Sequence, residues 1–240
     1  MKRAFIFVAS AVVVINASAD AGVLGYSFFY RTASNGNTVV DIFTVVSNAS
    51  DRLLNVYSVN FTTTQGGATA TTFVQQAGVN TSGWKPDGSS TRSNNIDSFM
   101  TIGVDGGAQS GGEYYASLGT APDGNFTNWS SLAPTVPANA GWFLSPPTLP
   151  DNVAESMNGM SGVRLNTGAA TVSNLGIWCA HLVMAPGSAS GGWWALSSAV
   201  KDGLTGATVT TTLGPTFFFP TPSALALLGM AGFSSRRRRP

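Results

Sequence analysis

Seven turn pairs cut this 240-residue chain into short runs dense in β-branched and aromatic residues: Asn35-Gly36, Gly66-Gly67, Asp87-Gly88, Gly106-Gly107, Gly111-Gly112, Asp123-Gly124 and Asp202-Gly203. Glycine and Asn/Asp tolerate the positive φ of tight hairpin turns, and the runs between them have the composition of strands. Strands are predicted at residues 23–32, 38–47, 53–64, 70–76, 96–103, 113–118, 162–165, 176–184, 192–199 and 207–213. The best-defined hairpin turns at Asn35-Gly36-Asn37. Residues 38–46 are apolar on nearly both faces, as in the middle of a sheet. In 53–61, Leu53, Tyr57, Val59 and Phe61 make one face broken only by Asn55, opposite Ser58, Asn60 and Thr62. No sustained helical stripe occurs; residues 151–160 come closest and contain Gly159. The five prolines of 134–150 around Gly141-Trp142-Phe143 predict a long ordered loop across one end of the domain. An all-β fold follows, an antiparallel β-sandwich of jelly-roll-like form spanning residues 22–219 as one domain.

The two ends differ from this middle. Met1-Lys2-Arg3, an apolar stretch to Ile15 and Asn16-Ala17-Ser18-Ala19 form the three-part pattern of a secretory signal peptide. Cleavage after Ala19 uses Ala17 and Ala19; cleavage after Ala21 uses Ala19 and Ala21. Residues 1–19 are therefore expected to form a signal helix that the Sec export machinery recognises. Residues 220–240 combine Pro220-Thr221-Pro222, an apolar run to Phe233 and Arg236, Arg237, Arg238 and Arg239. Such a tail predicts a hydrophobic C-terminal helix that anchors the chain in the membrane with its arginines inside.

The ends also distort the apparent charge. The whole chain carries +1, but residues 20–219 hold six basic residues against all 11 acidic ones, a balance of −5. A mildly acidic domain repels phosphate backbones, which argues against nucleic-acid partners. Charged residues are only 10% of the chain, and Gly, Thr, Ser and Asn fill the polar positions, a profile of extracellular β-proteins. Cys179 is the only cysteine, so no intramolecular disulfide forms.

The tail resembles the PEP-CTERM sorting signal, in which Pro-Glu-Pro precedes a transmembrane stretch and a basic end. It departs by having Thr221 where that family usually has glutamate. The resemblance implies an exosortase-like processing enzyme as partner and export in a bacterium that makes extracellular polysaccharide. The segment Asn48-Ala49-Ser50-Asp51-Arg52-Leu53-Leu54-Asn55-Val56, the run Asp97-Ser98-Phe99-Met100-Thr101-Ile102-Gly103 and Gly141-Trp142-Phe143 resemble an uncharacterised secreted microbial β-rich module. That resemblance implies an extracellular β-rich fold and no catalytic residues.

No catalytic set stands out. His181 is the only histidine and lies in the apolar run Ile177-Trp178-Cys179-Ala180-His181-Leu182-Val183-Met184. Strand alternation puts Cys179 and His181 on one face, ~6–7 Å apart, too far for a nucleophilic pair. The acidic residues are scattered, mostly at turns, and a carboxylate-dependent glycoside hydrolase is the enzymatic alternative. Asp97, Asp105 and Glu113 flank a glycine-rich segment and are the candidate calcium ligands. Trp193-Trp194 puts one ring outward, and with Tyr114 or Tyr115 it is the candidate glycan-contact patch. The expectation is a non-catalytic cell-surface or extracellular-matrix protein that contacts extracellular polysaccharide, with a self-assembling coat protein as the structural alternative.

Overall fold

A computed structural model describes residues 22–65, 69–76, 83–107, 113–168, 173–186 and 192–218. The signal segment with Ala17, Ala19 and Ala21, and the tail with Pro220, Thr221, Pro222 and Arg236–Arg239, lie outside the described residues. In chain order the strands are β1 (Val23–Thr32), β2 (Thr38–Val46), β3 (Arg52–Thr62), β4 (Phe99–Met100), β5 (Thr120–Pro122), β6 (Ala140–Leu144), β7 (Glu155–Ser156), β8 (Val163–Gly168), β9 (Leu175–Met184), β10 (Gly192–Lys201) and β11 (Thr208–Phe218). They form two antiparallel sheets in a sandwich-like arrangement. The first has the order β4-β9-β2-β1-β8 with β7 on β9, and the second has the order β11-β10-β3-β6-β5.

The β1–β2 hairpin forms where the sequence predicts it. Gly36 has φ 84°, its amide donates to Ala33 O, and Asn37 N donates to Asn35 Oδ1. β2 is buried on both faces, because it lies between β1 and β9 with residues packed above and below it. Three consecutive antiparallel pairs stay within one sheet, β1–β2, β5–β6 and β10–β11, whereas β2 to β3 and β9 to β10 cross between sheets. That connectivity departs from a jelly roll, in which successive strands alternate between sheets.

Three expectations change. First, Asn55 does not interrupt an apolar face. β3 slips by one residue against β10 between Asn55 and Leu53 and again between Asn60 and Tyr57, and Ser58 takes φ 53°. These bulges turn Leu53, Val56, Val59 and Phe61 into the core, and Asn55 and Tyr57 fall on the other face. Second, 134–150 is not all loop, since Ala140–Leu144 is β6 and pairs with both β3 and β5. Third, 70–76, 96–103 and 113–118 are mostly unladdered: Phe99–Met100 pairs with β9, and the rest is held by single bridges such as Thr62↔Ala70 and Val104↔Ala116.

There are two apolar clusters, one on each side of the first sheet. Phe28, Ile42, Val56, Trp142, Leu182 and Trp194 belong to the main core between the sheets. A smaller cluster of Phe29, Phe43, Val45, Phe99, Val104, Ala116, Met157 and Trp178 lies on the first sheet's outer face. Residues from the long β3–β6 excursion and from β7 cover that face, and the candidate site sits where this cover is open.

Candidate functional site

β9 decides which side chains reach the outer face. Its register against β2 shifts between Ile42 and Phe43, which face Ala180 and Trp178 and leave Cys179 as the extra residue of a bulge. Cys179 consequently points into the main core with its thiol on Ile42 O at 3.2 Å, while Trp178 and His181 share the outer face. The expectation that Cys179 and His181 share a face is thus overturned by one inserted residue. Burial pushes the Cys179 thiol up to about 12. Thiol-specific labelling of the native protein is therefore expected to be negligible and to become stoichiometric in denaturant; rapid native labelling would contradict the buried placement.

His181 is fully enclosed. Its Nε2 lies 2.8 Å from the Asn94 carbonyl, an acceptor, so Nε2 carries a proton. Nδ1 lies 2.7 Å from Asp41 Oδ1, with one more proton between them. The pair is formally neutral wherever that proton resides. Phe99 stacks on the imidazole at 4.7 Å and 14°, and Trp178 meets it edge-on at 6.0 Å. This is an oriented histidine held as structure.

Next to it, Arg92 makes a two-pronged ion pair with Glu155, at 2.7 and 3.1 Å. Its guanidinium lies 4.1 Å from the Tyr114 ring centroid, 4.6 Å from that of Trp178 and 5.2 Å from that of Phe43. Burial raises the Glu155 carboxyl above its ordinary range; Arg92 opposes the shift, and the nearby Asp41 charge adds to it. Arg31 Nη2 donates to Arg92 O at 2.7 Å, which ties β1 to the covering segment. Glu113 Oε1 accepts from the amides of Ser93 and Tyr114.

Beside these groups lies one pocket of about 340 Å³, lined by Phe29, Arg31, Asp41, Arg92, Glu113 and Tyr114 and by Ser156 and residues 158–161. Its volume is near the lower end of small-molecule sites. Hydrogen-bonding groups of both signs and aromatic surface line it together.

Of the residues singled out by sequence, Glu113 and Tyr114 belong to this pocket, though not in the roles expected. Trp194 is a core residue packed on Phe61, Phe28 and Phe73. Trp193 alternates to the outer face of the second sheet, away from Tyr114 on the outer side of the first. Tyr115 bridges to Thr91. The Trp193/Trp194/Tyr114/Tyr115 patch therefore does not assemble. Nor do Asp97, Asp105 and Glu113: Asp97 is buried and accepts from Gln76 N, Asp105 is exposed, and Glu113 holds two backbone amides. Among the described residues no three His, Cys, Asp or Glu side chains converge to hold a metal ion.

The sequence matches no family model, and comparison with curated proteins and with solved structures finds no match.

Proposed function

We propose that this is an exported bacterial cell-surface or extracellular-matrix protein, non-catalytic, that binds extracellular polysaccharide through the pocket on the outer face of the first sheet. The observation that carries the reading is the pocket itself. Aromatic surface from Phe29 and Tyr114 lies beside charged groups, two of which are already paired, Asp41 with His181 and Arg92 with Glu155, while Glu113 accepts from two backbone amides and Arg31 donates to a carbonyl. Sugars offer an apolar ring face and a hydroxyl rim, which such a wall complements. The carboxylates are engaged as acceptors, by an imidazole, a guanidinium and two backbone amides, and this favours binding over proton transfer.

The signal segment and the tail supply the address: Sec export, a hydrophobic helix in the membrane and processing by an exosortase-like enzyme despite Thr221. Binding of the full chain to matrix polysaccharide fractions is the test. Tyr114→Ala and Glu113→Gln are expected to weaken it at least severalfold, and Trp193→Ala to leave it unchanged. Loss of binding only in Trp193→Ala would move the site to the second sheet, and no binding to any fraction would end the proposal. A second reading, glycoside hydrolysis, is favoured by one observation, that Asp41 and Glu113 share the pocket wall. It requires release of new reducing ends from the bound polymer.

A further inference from the structure

Two nitrogens at this site have no hydrogen-bond acceptor: Arg31 Nη1 and Arg92 Nε are both shielded from solvent and unpartnered, and both residues wall the pocket. A guanidinium N–H removed from water and left without an acceptor is costly, and the cost is removed by an acceptor that arrives with the ligand. The charges around these nitrogens are not equally free. Arg92 is paired with Glu155, and Asp41 is paired with His181. Glu113 directs Oε1 at two backbone amides. Arg31 spends Nη2 on a neutral carbonyl, and no ion pair reaches it among the described residues. That bond to Arg92 O also holds its guanidinium in place, so the unpartnered donor is fixed in position before any ligand arrives.

From this we infer that the ligand is an acidic saccharide, with the carboxylate of a uronate-type residue on Arg31 and its ring against Phe29 and Tyr114. A planar carboxylate suits a guanidinium edge better than a hydroxyl does, because both oxygens accept charge-assisted bonds. Glu113 and the serines of the wall are left for hydroxyl groups of the same unit. The inference rests on the polysaccharide-binding reading and narrows it to one charge class.

The test is calorimetric titration of the full chain with an oligogalacturonate and with a neutral gluco-oligosaccharide of equal length. The uronate is expected to bind roughly tenfold tighter, the factor that about 1.4 kcal/mol of added interaction produces. Arg31→Gln should abolish that preference while keeping the weaker neutral binding, and Arg31→Lys should keep part of it. Added sodium chloride should shrink the preference in the unaltered protein, a readout that needs no variant. Equal affinities, or a preference that survives both salt and Arg31→Gln, would overturn the acidic-ligand inference and leave polysaccharide binding standing. Failure of both oligosaccharides to bind would overturn the acidic-ligand inference, and the polysaccharide reading falls with it only if the matrix fractions also fail to bind.

Discussion

Asp41→Ala is expected to lower the unfolding free energy by about 3–5 kcal/mol, the range found when one partner of a buried charged pair is removed. For a domain of this size that corresponds to a fall in melting temperature of the order of 10 °C. The cost arises at His181, which has no access to water and whose Nδ1 would lose its only partner. The ring cannot turn away, because Nε2 is fixed on Asn94 O and Phe99 and Trp178 clamp its faces and edge. Asp41→Asn is the informative control. An asparagine amide can donate to Nδ1 of a neutral imidazole, keeping shape and hydrogen bond, so its loss should be closer to about 1 kcal/mol. Urea denaturation of the two variants measures the difference. Equal losses would mean that neither shape nor a neutral hydrogen bond substitutes for the carboxylate, and that its negative charge beside the imidazole carries the whole effect.

The same pair shows how much of this molecule could be read from its sequence. Strand-rich architecture was legible because β1 and β2 are dense in β-branched and aromatic residues and are joined by a Gly36 turn that fits only a hairpin. The bulges were not: a strand's alternation is broken by one inserted residue, and nothing in the residues 53–60 or 178–180 announces the insertion. β6 was hidden by its neighbouring prolines, which cluster outside the strand at 134, 137, 146, 147 and 150. The candidate site draws on residues 31, 41, 92, 113, 155 and 181, separated by most of the chain, so spacing within the sequence carries no trace of it. One signal was present. Asp41 is the lone charge in Thr38–Val46, and His181 is the lone ionisable group besides Cys179 in Leu175–Met184. A charge inside an otherwise apolar strand needs a partner, and two such strands in one sheet were candidates to supply it to each other.

Trp142→Ala should be the most damaging single change in the core, at about 3–5 kcal/mol by the measured range for large aromatic truncations. The indole does more than fill volume. It starts from β6 in the second sheet, is 1% exposed, and crosses the interior so that Nε1 donates to Thr101 O at 3.1 Å and Cys179 O at 3.0 Å. Cys179 is the bulged residue of β9, so Trp142 bonds directly to the irregularity that turns His181 outward and Cys179 inward. Trp142→Phe separates the two contributions, since phenylalanine keeps most of the apolar volume and the edge contact with Phe126 but has no N–H. Its expected cost is about 1–2 kcal/mol, the penalty for buried carbonyls deprived of a donor. Cys179 reports the consequence for the bulge. If the indole N–H fixes β9, the thiol should label faster in native Trp142→Phe than in the unaltered protein, through local opening of that strand. If labelling stays as slow while stability falls, the bulge is held by the β2 pairing and by the Thr101 amide on Cys179 O, and Trp142 acts by packing alone.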